Sequence, residues 1–108
     1  MLFQPAYQGS YYILRILQDS FTEGDVESLK KQIEDCMDEG KMKIVLSFTP
    51  ASYPYSKLLT LLTQCHRLIK ERGGKLIIVH PNQDFLDILD QTKLLNVLEV
   101  YSAEDEIE

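Results

Sequence analysis

The residues that could do chemistry are few and scattered. His66 and His80 are the only histidines, and neither has a Cys, Asp or His at a spacing that holds a metal ion. Cys65 and His66 are neighbours, so on a helix their side chains diverge by about 100° and cannot act on one atom. Gly73-Gly74 precedes a strand-like run rather than a helix, the wrong order for a dinucleotide-binding fingerprint. The carboxylates lie along helix faces and in the tail, where they serve solvation. No pair has the types and spacing for nucleophilic or acid–base work. The expectation is no enzyme, with no catalytic residue, metal site or cofactor.

Ser56 is the remaining candidate. It falls after a strand end and at the start of a helix, where backbone N–H groups and the helix dipole favour an anion. A phosphate there would bring nearly two negative charges and three acceptor oxygens. The competing reading makes Ser56 only an N-cap, worth about 1 kcal/mol. Tyr53 and Tyr55 flank Pro54; aromatics on such a loop suit a contact surface, though one of them could equally pack back on the core.

The elements that must position these residues follow from periodicity and punctuation. A short edge strand is expected near Leu2 to Ala6, since Pro5 is tolerated only at an edge. Tyr11 to Leu17 reads as a strand apolar on both faces apart from Arg15. A helix from about Asp25 to Glu39 is capped by Thr22 or Asp25, buries Val26, Leu29, Ile33 and Cys36 or Met37, gains an i,i+4 pair from Glu27 and Lys31, and stops at Gly40. Lys43 to Phe48 is a buried strand; the two prolines keep 49–54 irregular. A second helix runs from Tyr55 or Ser56 to Arg72, with Leu58, Leu61, Leu62, Cys65, Leu68 and Ile69 on its apolar face, and Gly73-Gly74 ends it. Lys75 to His80 is another buried strand, ended by Pro81. Asn82 caps a third helix reaching about Gln91. Leu94, Leu95, Val97 and Leu98 seek the core through a turn, a last strand covers Leu98 to Tyr101, and 102–108 is an acidic tail, a short helical turn or frayed.

The order β, β, α, β, α, β, α, β implies parallel crossovers. The fold class is therefore α/β: one small layered domain over 1–108, with a mixed, mostly parallel sheet of four to five strands and helices packed against it. In such sheets functional groups gather past the carboxyl ends of strands, here the loop from Thr49 to Ser56.

Totals narrow the function. The 108 residues are 44% hydrophobic and 26% charged, an ordinary globular balance. A net charge of -6 argues against a nucleic-acid partner, which needs clustered Lys and Arg. No apolar run approaches the length of about 20 residues that spans a bilayer, and MLFQPAYQGSYY is unlike a signal peptide, so no membrane insertion and a cytoplasmic location are expected. Two distant cysteines at apolar helix positions read as buried thiols. Residues 57–75 carry five cations against Glu71 alone, whereas 76–108 carry Lys93 against eight acids. That asymmetry either steers a partner or marks plain solvated faces.

From IVLSFTPASYPYSKLLTLL through ERGGKLIIVHPNQDFLDIL to QTKLLNVLEVYSAEDEI, the chain resembles the STAS family, which includes bacterial anti-sigma factor antagonists and the cytoplasmic domains of sulfate transporters. The likeness covers almost the whole chain. Placed residue by residue, Ser56 falls on the serine that a partner kinase, the anti-sigma factor, phosphorylates in that family. The flanking positions depart: Tyr55 stands where the family has Asp, and Leu58 where it has Gly. Lys93 stands at the Gly of the later turn, and Pro50 at the Gly of the loop.

The resemblance implies a non-enzymatic regulatory module that binds an anti-sigma factor of serine-kinase type and so regulates transcription. Phosphorylation at Ser56 would weaken docking, and Pro50, Ser52, Tyr53, Tyr55, Ser56, Lys57 and Leu58 would form the partner surface. Two alternatives stand beside it. One is a STAS scaffold or homodimerising subunit of a larger regulatory or transport assembly, without the phosphate switch. The other is a nucleotide- or lipid-binding domain with an apolar pocket near Tyr11, Tyr53 and Tyr55.

Overall fold

The computed structural model describes residues 3–53, 55–79 and 82–107. The expected roles of Leu2, Pro54, His80 and Pro81 lie outside those residues. Strands β1 (Phe3–Gln8), β2 (Tyr11–Ile16), β3 (Lys43–Ser47), β4 (Lys75–Val79) and β5 (Glu99–Tyr101) form one sheet in the order β1-β2-β3-β4-β5. The β1–β2 pair is an antiparallel hairpin and the other three pairs are parallel. Pro5 lies on edge strand β1, where a missing N–H is harmless.

Helices α1 (Glu23–Asp38), α2 (Ser56–Glu71) and α3 (Gln83–Gln91) fill the crossovers. All three contribute to one apolar cluster on one sheet face. It joins Tyr12, Leu14 and Ile16 of β2 and Ile44, Leu46, Leu76 and Ile78 of β3 and β4 to Leu29, Ile33, Leu61, Leu62, Cys65, Phe85 and Leu89 of the helices. Because strand side chains alternate, Ile13, Val45, Ile77 and Val79 point the other way, into a smaller cluster.

The segment read as an acidic tail covers that second face. A 3-10 turn, Glu104–Glu106, leads Ile107 into the smaller cluster, where it is 3% exposed. Gln8 donates from Nε2 to the carbonyls of Glu104 and Ile107, and Arg15 grips the Glu104 carboxylate with Nε at 3.1 Å and Nη2 at 2.7 Å. The segment is thus tied down rather than frayed over 102–107.

Helix ends follow local chemistry. Thr22 and Asp25 together form a capping box on α1, with reciprocal bonds of 3.1 and 2.9 Å. The ends of α1 and α2 close as Schellman motifs: Gly40 and Gly73 take φ of 88° and 81°, and Gly74 N–H reaches the Ile69 carbonyl at 2.9 Å. Gly74 also has no room for a Cβ, which would lie 2.4 Å from the Met42 carbonyl oxygen. Helix α3 ends with Lys93 in the left-handed region at φ 67°, its N–H reaching the Asp90 carbonyl at 3.0 Å. Two sequence expectations shift. Lys31 pairs forward with Asp35, at 3.7 Å, instead of back to Glu27. Val97 is 51% exposed, because the 3-10 turn Leu94–Asn96 directs Leu94 and Leu98 inward and leaves Val97 outside.

Candidate functional site

The loop between β3 and α2 lies past the carboxyl end of β3, and its backbone is held from three sides. Pro50 occupies the second position of a turn closed by Ser52 N–H to the Thr49 carbonyl at 3.0 Å, the place where a fixed φ fits best. Thr49 Oγ1 donates to the Asp19 carboxylate in the β2–α1 loop and lies 2.8 Å from Ser52 Oγ. Asn82 accepts from Phe85 N–H at 2.8 Å, capping α3, while its Nδ2 donates to the carbonyls of Pro50 at 2.9 Å and Ser52 at 3.0 Å. Under the loop, Phe48 meets Phe21 edge-on at 6.1 Å and Phe85 at 5.0 Å, so the three segments share one aromatic support.

This bracing decides which predicted site residues face outward. Ser52 is 1% exposed and Leu58 is 2% exposed. The polar network consumes the serine, and the first turn of α2 points the leucine into the core, so both sit beneath the surface rather than on it. Pro50, Tyr53, Tyr55, Ser56 and Lys57 are exposed. The rings of Tyr53 and Tyr55 pack against each other, with centroids 4.9 Å apart, and Tyr55 is 62% exposed. Neither tyrosine packs into the core. Tyr11 opens β2, whereas the tyrosine pair follows the end of the parallel strand β3, so the two places are at opposite ends of the sheet. The expected pocket joining them does not form.

Ser56 is not the N-cap. Tyr55 holds that position, with φ -67° and ψ 166°, and its carbonyl accepts the first helical bond from Leu59 at 3.1 Å. Tyr55 makes no side-chain cap bond, and no acid lies in the first turn of α2. The amides of that turn therefore keep their positive character. Ser56, as the first helical residue, lines a groove of about 290 Å³ between the starts of α1 and α2, with Val26 and Leu61 also in its wall. Lys57 Nζ crosses that groove to Glu23 at 2.8 Å, and this bond holds the Glu23 carboxyl below its usual range. Hydrogen bonding and ion pairing there can position an anion or a partner. Among the described residues no group of three His, Cys, Asp or Glu could hold a metal ion. Cys65 is packed in the core, and burial pushes its thiol up to about 12, which keeps it protonated and inert.

Asp19, the bracing role of Thr49 and the donor half of Asn82 escaped the sequence reading. Asn82 was visible as a cap, but its reach across 30 residues to Ser52 was not. A Thr-Pro-x-Ser turn signal followed by a later Asn cap was the only trace of it.

The chain belongs to the STAS domain family, whose model matches residues 7–107. Its fold is that of anti-sigma factor antagonists. It superposes on a Thermotoga maritima protein described as a candidate anti-sigma factor antagonist, TM1081, with a TM-score of 0.83 and 22% identity, covering 96% of this chain and 89% of that one. It also superposes on the unphosphorylated anti-sigma factor antagonist SpoIIAA, with a TM-score of 0.68 and 16% identity, covering 97% and 92%. The phosphorylated form of the Bacillus cell fate determinant SpoIIAA gives a TM-score of 0.67 and 15% identity, covering 98% and 96%. A comparison with curated proteins finds no match. Among the described residues no helix is long and apolar enough to cross a membrane.

Proposed function

We propose that this STAS domain is a regulatory protein-binding module that docks an anti-sigma factor of the serine-kinase type and so regulates transcription. The docking face consists of Pro50, Tyr53, Tyr55, Ser56 and Lys57, with Ser52 and Leu58 supporting it from below. The observation that carries this reading is the exposed Ser56 at the start of α2, beside a braced loop that presents two tyrosines in tilted ring contact. The partner would transfer the terminal phosphoryl group of a nucleoside triphosphate to Ser56 Oγ, releasing the diphosphate, while the hydroxyl proton passes to a base of the kinase. The added charge would then weaken docking. The domain itself acts by binding and performs no chemistry.

One feature favours a constitutive scaffold or a homodimer instead. Tyr55, where the family has an acid, supplies no cap bond, so no acid flanks Ser56 at the start of α2. The deciding experiment captures partners from the source cell with the wild type and with Ser56→Asp, and searches the wild type for phosphate by mass spectrometry. A kinase retained only by the wild type, with phosphate on Ser56, supports the switch. Equal capture by both forms, without phosphate, leaves the scaffold.

A further inference from the structure

A second groove lies away from Ser56, along the far half of α2 and the sheet edge at β5. Thr63, His66, Arg67 and Lys70 fall at i, i+3, i+4 and i+7 and so share one face of α2. With Glu71 and Val97 they line a groove of about 520 Å³. An adjoining hollow of about 220 Å³ shares His66, Lys70 and Val97 and adds Gly74, Lys75, Leu76 and Glu99.

The two hollows carry Arg67, Lys70 and Lys75 against Glu71 and Glu99. Val97 is 51% exposed there and supplies the apolar wall, with Leu76, 2% exposed, closing the floor behind it. Lys75 is paired with Glu99 at 3.3 Å. Arg67 and Lys70 have no ion-pair partner among the described residues, although Glu71 shares the rim. His66 Nδ1 is buried with no hydrogen-bond partner among the described residues, an unmade bond of the kind that marks a site wanting a ligand atom. Burial, and then the Lys70 charge, pushes the His66 ring toward its neutral form; a neutral ring keeps one N–H to donate.

We propose that this groove binds a small carboxylate carrying an apolar tail, of the fatty-acid class. The carboxylate sits among Arg67, Lys70 and His66, and the tail lies against Val97 and Leu76. Two cations without an ion-pair partner among the described residues, beside an apolar wall, match an anion-headed amphiphile better than a plain hydrocarbon or a plain anion, and the volume is that of a small-molecule site. The inference does not depend on Ser56 or on any protein partner.

The test titrates decanoate, below its micelle concentration, into the isotope-labelled full chain. His66 ring and Val97 methyl resonances should move together and saturate. The Arg67→Glu, Lys70→Glu double variant, altered only at exposed positions, should bind about tenfold or more weakly. Val97→Ser, which leaves the charges in place, should also weaken binding. Decyltrimethylammonium has the same tail and the opposite charge, and should not shift these signals. Equal binding of the cationic amphiphile, equal affinity in the charge-reversed variant, or immobile His66 and Val97 signals up to the solubility limit would each overturn the proposal.

Discussion

Asn82 Nδ2 donates to the Ser52 carbonyl at 3.0 Å, tying the cap of α3 to the loop that precedes α2. One side chain thereby stabilises a helix start and fixes the outline of the proposed docking face. Its two roles separate by substitution. Asn82→Ala removes the cap and both loop bonds and should cost about 2–3 kcal/mol in urea unfolding. Asn82→Asp keeps the cap acceptor and loses only the donors. It should cost less than the alanine variant yet speed amide exchange at Ser52, whose N–H closes the loop turn. Equal exchange in Asn82→Asp and wild type would show that the loop is held without this residue.

Tyr55 occupies an N-cap and offers no acceptor. Replacing it with Asp supplies a side-chain bond to the first-turn amides and a charge matched to the helix dipole, so Tyr55→Asp should stabilise the fold by about 1 kcal/mol. The same change removes one ring of the exposed tyrosine pair. Partner affinity should therefore fall while the melting temperature rises, a split that simple destabilisation cannot produce.

Lys93 ends α3 in the left-handed region, at φ 67°. That conformation costs a side-chain-bearing residue about 1–2 kcal/mol, and glycine recovers it at an unfolded-state entropy cost of about 0.5–1 kcal/mol. Lys93→Gly should therefore raise stability by about 0.5–1 kcal/mol. Lys93→Val, β-branched, should lower it. Chemical denaturation of the three proteins side by side checks the order.

The Arg15–Glu104 pair makes stability depend on pH. The Arg15 guanidinium, hydrogen-bonded to Glu104, holds that carboxyl below its ordinary value near 4.5, against a smaller opposing effect of burial. A depressed folded-state pKa means the stabilisation is fully present above about pH 4.5 and drains away as pH falls through the lower folded value. The stability difference between wild type and Glu104→Gln should be constant near neutral pH and vanish in acid. Urea midpoints across that range measure it. Ile107→Ala tests the apolar half of the same tether and should cost about 2–4 kcal/mol, as for a buried aliphatic side chain.

Much of the architecture was legible because it rests on short-range signals. The Gly40 and Gly73-Gly74 stops, the Thr22 and Asn82 caps and the apolar runs at 43–48 and 75–79 each encode their element through neighbouring residues. The candidate site was only half legible. Ser56 was visible by its place between strand and helix, but the N-cap fell one residue earlier. Leu58 follows the apolar face that its spacing gave it, not the partner surface that the resemblance implied, and Ser52 was misjudged as surface, because whether a loop residue points inward depends on partners such as Asn82 that arrive from elsewhere in the chain.

The sequence by itself determined the element order and the glycine stops of the first two helices, since those depend on residue type and spacing over a few positions. Tertiary structure alone decided the rest. It laid 102–107 over the second sheet face, turned Val97 outward, set the rings of Tyr53 and Tyr55 in tilted contact and brought Asn82 to Ser52. Each of these depends on contacts between residues far apart in the chain, and no local pattern records where the folded backbone will bring them.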